Sequence, residues 1–247
     1  MSRAMVSSHS PPRRRFTPKR RFLIEISRAG FLIYFRIMNK NTKEFYTKRL
    51  RLYNAMTGLV RHKRSLKNFL IKKNILKSGM KILDAGCGSG ALTKALIEIA
   101  DEADLSGMEF FGFDLTPAML NDFDKWAKRH NKIIKLKEAD VLDRPDDFPD
   151  SWSNFDIIFS SGMLEYIVPE KLPKVLDNLR RFLKPGGRLI VFVSRKNILN
   201  KFLIEKPWRA RTYTKENIIK FFKKADFELL AVSKFKSWGF AVIARRP

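Results

Sequence analysis

Three glycines at alternate positions, Gly86, Gly88 and Gly90, follow an apolar run that ends in an acid, Lys81-Ile82-Leu83-Asp84-Ala85. Glycine adopts positive φ without a Cβ penalty and lets a ligand come close to the backbone. Ala91-Leu92-Thr93 then begins a helical pattern, and a helix start offers unpaired N–H groups to a polar ligand. This strand, tight turn and helix start predict a site for a nucleotide-like cofactor. Two more acids stand where strands should end: Asp114 closes Glu109-Phe110-Phe111-Gly112-Phe113-Asp114, and Asp140 lies in Glu138-Ala139-Asp140-Val141. Carboxylates there can accept from hydroxyl or amino groups. Glu165 and Tyr166, in Met163-Leu164-Glu165-Tyr166, are the candidate base or substrate-orienting groups. The competing reading makes Glu165 a solvated residue of the next helix, with Tyr166 packed beneath it.

The elements that must position these residues alternate along the chain. Apolar runs and helical spacing predict strands at 80–85, 109–114, 133–138, 154–160 and 187–194, with helices at 89–101, 117–130, 170–183 and 214–224. Thr116-Pro117 reads as an N-cap followed by a first-turn proline. Such alternation calls for a parallel sheet covered by helices, with ligands at the carboxyl ends of its strands. Phe227–Val232 and Phe240–Ala244 are too close together for a crossover helix, so they should close the sheet as an antiparallel hairpin through residues 236–239. Leu183-Lys184-Pro185-Gly186-Gly187 reads as a Pro-Gly turn without a ligand role. Residues 102–108 look like a loop insertion.

Gly86-x-Gly88-x-x-Ala91 also satisfies a loose dinucleotide fingerprint, so the glycines alone leave the cofactor open. Asp84, two residues before the first glycine, stands where dinucleotide enzymes carry an apolar residue. Together with the acid ending the second strand, Asp140 and the terminal hairpin, it resembles the class I S-adenosylmethionine-dependent methyltransferases over residues 80–247. The resemblance implies an α/β, Rossmann-like three-layer sandwich with a seven-stranded, mostly parallel sheet. It also implies that Asp84, Ala85, Gly86, Cys87, Gly88 and Gly90 hold the amino acid part of S-adenosyl-L-methionine. Asp114, with Leu115 beside it, would take the ribose hydroxyls. Asp140 would accept from the adenine amino group, with Val141 and Ala139 at the ring, and Ser160 would pass beside the cofactor methionine.

Methyl transfer is an in-line displacement in which alignment is the main task. Several acceptor classes are disfavoured. Ser160-Ser161-Gly162-Met163 lacks the Asn/Asp-Pro-Pro-aromatic turn usual in adenine and amide N-methyltransferases. The single cysteine, Cys87, lies inside the glycine turn, away from any place for a covalent nucleophile. His9, His62 and His130 have no metal-ligand spacing, so no metal is expected. Arg195–Arg211 mixes apolar and cationic residues and fits an acceptor lid, equally a plain surface helix. A generic core with a helical N-terminal cover and an apolar insertion before the last helix resembles the quinone and lipid C- or O-methyltransferases, which implies a small, apolar, lipid- or quinone-like acceptor. The alternatives are an RNA or protein methyltransferase gripping phosphate through residues 40–77, and a non-catalytic interaction module. A dinucleotide oxidoreductase ranks last.

At 247 residues the chain suffices for one substantial domain, 80–247, with a helical cover over 38–79. One cysteine allows no internal disulfide, which suits a reducing, cytoplasmic setting. Of the net charge of +25, residues 1–80 carry 21 Lys/Arg against Glu25 and Glu44. That end should seek phosphate, on a membrane, a nucleic acid or an anionic substrate. Residues 1–37 begin with a Ser/Pro/Arg-rich tail. They continue into a stretch whose charges, Arg21, Glu25, Arg28 and Arg36, share one helical arc. This pattern fits a helix lying on an anionic membrane, an organelle-targeting segment, or translated upstream sequence with Met38 as the natural start.

Overall fold

The computed structural model describes Glu44, Thr47 and residues 62–247 other than Arg144, Arg209 and Ser237. The basic tail and amphipathic segment of residues 1–37 therefore lie outside the described residues. So does the part of the expected helical cover before residue 62, except that Glu44 and Thr47 are helical.

Helix α1 (His62–Lys73) leads into β1 (Lys81–Ala85), α2 (Ala91–Glu102), β2 (Glu109–Asp114), α3 (Pro117–Arg129) and β3 (Ile134–Glu138). The chain continues through β4 (Phe155–Ser161), α4 (Leu172–Phe182), β5 (Leu183–Ser194), α5 (Lys215–Lys224), β6 (Glu228–Phe235) and β7 (Gly239–Arg245). The seven strands make one sheet in the order β3-β2-β1-β4-β5-β7-β6. Strands β1 to β5 pair parallel, while β7 pairs antiparallel with both β5 and β6. The expected α/β sandwich with its antiparallel close is the fold.

Strand alternation sorts the core into two faces. Leu83, Phe111, Phe113, Ile158 and Val191 point to one, where α4 and α5 cover them with Leu176, Leu179, Ile218 and Phe222. Ile82, Ile157, Phe159, Ile190 and Phe192 point to the other, under Leu66 and Leu70 of α1 and Leu92 and Leu96 of α2. Phe123 of α3 joins Cys87 and Leu136 in a smaller cluster beside them. The ionic contacts of α1 go to its helical neighbour: Lys63 and Lys67 pair with Glu98 and Glu102 of α2.

Two expected boundaries move. Strand β5 begins four residues early, at Leu183, because Leu183 pairs with Phe155 before the register resumes at Ile157 and Arg188. The Pro185-Gly186 segment is therefore a bulge inside the strand, with Gly186 at φ 74°. The hairpin strands extend to Phe235 and back from Gly239, which shortens the turn to residues 236–238. The expected insertion is a short turn, fastened by Gly79 N donating to Ser106 O at 2.8 Å and Glu109 N to Met80 O at 2.9 Å.

Candidate functional site

The carboxyl ends of β1, β2 and β4 converge, with the turn after β3, on one pocket. It is lined by Gly86 and Gly88, Asp114 to Thr116, Met119, Ala139 to Val141, Ser161 to Met163, Tyr166 and Ile167. It encloses about 780 Å³ of empty space, part of it open to solvent. Of the expected cofactor residues, Gly86, Gly88, Asp114, Leu115, Asp140 and Val141 come together here. Asp84, Ala85, Cys87, Gly90 and Ser160 do not line it.

The glycine turn is held from beneath. Gly86 and Cys87 both donate to Phe113 O, at 2.9 and 3.0 Å, which ties the turn to the end of β2. Gly86 has φ 72°, and a Cβ there would lie 2.7 Å from the Met163 side chain. Gly88, at φ 53°, has only Met119 Sδ at 4.0 Å in that direction, and Gly162 has nothing within 4 Å. Open space above Gly88 and Gly162 lets a ligand approach the backbone from the pocket side.

Asp84 works on the other side of the turn. It shares the β1 face that looks toward α2, and its Oδ2 accepts from Thr93 Oγ1 at 2.7 Å. Burial pushes its carboxyl up to about 7, against the lowering effect of the Thr93 hydrogen bonds. Asp84 thus ties the strand to the helix that follows the turn and does not reach the pocket itself. Cys87 is buried as well. Burial, and then the charges of Asp84 and Asp114, raise its thiol well above the ordinary range, which keeps it protonated and inert.

Asp114 sits half-buried at the pocket edge. Its Oδ2 accepts from Gly88 N at 2.9 Å and its Oδ1 from Thr116 N at 2.8 Å. A carboxylate has about four lone-pair sites, so acceptor capacity remains after these two bonds. Burial raises its pKa and the backbone donors oppose that. Thr116 occupies the N-cap of α3 as expected, with Pro117 in the first turn, yet its side chain makes no capping hydrogen bond. Across the pocket Asp140 Oδ1 accepts from Leu142 N at 3.0 Å, and Asp140 N donates to Asp143 Oδ2 at 2.9 Å. Buried Asn178 of α4 fixes this turn, donating to Val141 O at 3.1 Å and Asp143 O at 2.9 Å.

On the fourth side, strand alternation turns Ser160 inward, fully buried, and presents Ser161 and Gly162 to the pocket instead. Tyr166 lines the pocket; Glu165 does not. The expectation of a solvated Glu165 is also overturned, since it is only 3% exposed. A short 3₁₀ turn, Leu164–Tyr166, buries its side chain behind the wall. There Oε1 accepts from Ser194 N at 2.9 Å. Burial pushes the carboxyl up to about 7, with the Ser194 bond opposing.

Sequence reasoning missed Asn178, Thr93, Met119 and Ile167. Thr93, in the first turn of the helix after the glycines, is the one whose position carried a signal. Among the described residues of the expected lid, 195–211, none lines the pocket, and Ile198, Leu199 and Phe202 face outward. Among the described residues no three His, Cys, Asp or Glu side chains group as metal ligands, and no helix is long and apolar enough to cross a membrane.

The model of a family described as a methyltransferase domain matches residues 76–236. Among curated proteins, the 2-phytyl-1,4-naphtoquinone methyltransferase of Synechococcus elongatus is 32% identical over 130 residues, 51% of this chain and 50% of that protein. The ubiquinone biosynthesis O-methyltransferase of Xylella fastidiosa is 31% identical over 122 residues, covering 49% and 44%. The chain thus spans about half the length of these relatives. Among solved structures, magnesium protoporphyrin IX methyltransferase from Synechocystis, with bound S-adenosylhomocysteine, superposes with a TM-score of 0.66. That likeness covers 85% of this chain and all of the other at 16% identity, a similarity of fold.

Proposed function

The chain belongs to the methyltransferase-domain family, and from that premise we propose that it transfers a methyl group from S-adenosylmethionine to a small, apolar, lipid- or quinone-like acceptor. The observation that carries the reading is the convergence of a bare glycine turn, two strand-end carboxylates and an apolar wall on one pocket. S-adenosylmethionine supplies an electrophilic methyl on a sulfonium; the residues do the binding and alignment. Open backbone at Gly88, in the turn that begins at Gly86, accommodates the amino acid part, and Asp114 accepts from the ribose hydroxyls. Asp140 stands at the adenine edge, with Ala139, Val141 and Met119 as apolar surface for the ring.

The acceptor side is the rim formed by Met163, Tyr166 and Ile167. These three side chains suit an apolar ring or chain, and the phenol of Tyr166 can orient an acceptor oxygen. Glu165 is a positioning residue, because its carboxyl is sealed behind the wall on Ser194. Alignment, with water kept out by the apolar rim, is the catalytic work this arrangement supports. The names of the naphthoquinone and ubiquinone relatives favour the same acceptor class. Two cations of the expected phosphate grip, Lys63 and Lys67, pair with Glu98 and Glu102 of α2, which weighs against an RNA acceptor.

Incubation with methyl-labelled S-adenosylmethionine and a total lipid extract tests the acceptor class. Label should enter an organic-soluble product and should stay out of RNA and protein fractions. Transfer only to the latter would refute the assignment.

A further inference from the structure

After β5 the chain runs through three short turns, Ile198–Asn200, the π turn Lys201–Glu205, and Lys206–Trp208. The polarity of the first two is inverted. Asn200 is 1% exposed, and its Nδ2 donates to Arg195 O at 2.6 Å and Trp238 O at 2.7 Å. Its backbone N donates to Asn197 Oδ1 at 2.7 Å. Ile198, Leu199 and Phe202 are instead 79%, 57% and 56% exposed. A buried polar anchor therefore holds three large apolar side chains outward, on a segment that is bonded rather than loose.

Charge surrounds this apolar tip. Residues 195–211 carry six Lys/Arg and one acid, Glu205, whose carboxylate takes the Thr212 hydroxyl. Lys196, Lys201 and Lys206 are exposed, and Lys206 Nζ lies 4.7 Å from the Phe202 ring centroid. The same segment is stitched to the pocket rim. Arg211 N donates to Glu165 O at 2.8 Å, and Tyr213 Oη donates to Leu164 O at 3.1 Å, beside Tyr166 and Ile167.

We propose that Lys196–Lys206 is an interfacial docking element for an anionic lipid bilayer. Ile198, Leu199 and Phe202 enter the headgroup boundary while Lys196, Lys201 and Lys206 meet lipid phosphates. Apolar side chains ringed by lysines are the pattern that combines burial with attraction to anionic headgroups. The proposal rests on the lipid-like acceptor reading only for its consequence, that docking places the pocket rim against the bilayer that holds the acceptor.

The test uses the full chain with Ile198→Cys carrying an environment-sensitive fluorophore. Cys87 is buried with its thiol pushed up, so labelling is confined to the new site. Ser151→Cys, exposed ahead of β4 at the amino ends of the strands, is the control. Phosphatidylcholine vesicles containing phosphatidylglycerol should shift the emission at position 198 to the blue and raise it several-fold. Pure phosphatidylcholine or high salt should weaken the change, and the control should not respond. The triple variant Ile198→Glu, Leu199→Glu, Phe202→Glu should lose at least fivefold in vesicle affinity while binding S-adenosylhomocysteine as before. No emission change, an equal change at Ser151→Cys, or undiminished vesicle affinity of the triple variant overturns the proposal. So does a shift that follows protein concentration without vesicles, because a second copy would then cover the tip. Failure of the cofactor reading would appear separately, as absent S-adenosylhomocysteine binding with the emission change intact.

Discussion

Replacing Glu165 with glutamine should stabilise the protein in alkaline buffer and leave it nearly unchanged in mild acid. The folded carboxyl is pushed from 4.5 to about 7, chiefly by burial. The native state therefore takes up a proton before the unfolded state does. Stability that depends on this group is fully present below pH 4.5 and is lost as the pH rises through about 7. At about 1.36 kcal/mol for each pH unit between the two values, ionising Glu165 at pH 8 costs about 3 kcal/mol. Glutamine is the isostere of the protonated acid. Its Oε1 keeps the 2.9 Å bond from Ser194 N, and its amide stands where Oε2 already meets no hydrogen-bond partner among the described residues. The protonated acid leaves one donor unpaired there and the amide two, a difference of about 1 kcal/mol, so the two proteins should agree within about that much at pH 5. Urea denaturation of both proteins at pH 5 and pH 8 measures the difference from midpoint and slope. Parallel pH dependence of the two proteins, or equal destabilisation by glutamine at both values, would show that Glu165 is not a buried carboxyl with a raised pKa.

Three further outcomes follow from the same geometry. Gly90→Ala should cost about 3 kcal/mol, because φ is 83° and the new Cβ would lie 2.3 Å from the Phe123 ring; a melting temperature within a degree of the parent would contradict that packing. Asn178→Ala frees the turn at Val141 and Asp143, and should weaken S-adenosylhomocysteine binding about tenfold, about 1.4 kcal/mol, with a smaller effect on the acceptor KM. Unchanged cofactor affinity would remove Asn178 from the site. Cys87 should resist iodoacetamide at pH 8 until denaturant is added, and rapid alkylation of the native protein would show an accessible thiolate.

The sheet was legible because its strands are apolar runs bounded by glycine, proline and acids, and because the last two runs lie too close for a crossover. The start of β5 was not, since Pro185-Gly186 has the same signature in a bulge as in a turn. At the site, the glycine turn and Asp114 could be read from position alone. The direction of Asp84 could not: it depends on which face α2 covers and on Thr93 meeting it there. Glu165 looked solvated or catalytic because nothing in Leu164-Glu165-Tyr166 announces a 3₁₀ turn that buries its middle residue. The mixed apolar and cationic residues of 195–211 suggested a lid, but within 198–202 it is Asn200 that faces in. Likewise Lys63 and Lys67 of α1, read as part of a phosphate grip, face Glu98 and Glu102 of α2, a pairing that only the packing of the two helices reveals.

Calorimetric titration of S-adenosylhomocysteine into the full chain and into Asp114→Asn tests the central claim most directly. Asparagine keeps one of the two backbone contacts, from Gly88 N or Thr116 N, and loses the charge and the other acceptor oxygen. One-to-one binding by the parent, weakened at least tenfold in a variant that melts normally, is the predicted result. No binding heat from the parent, or equal affinity in the folded variant, would contradict it.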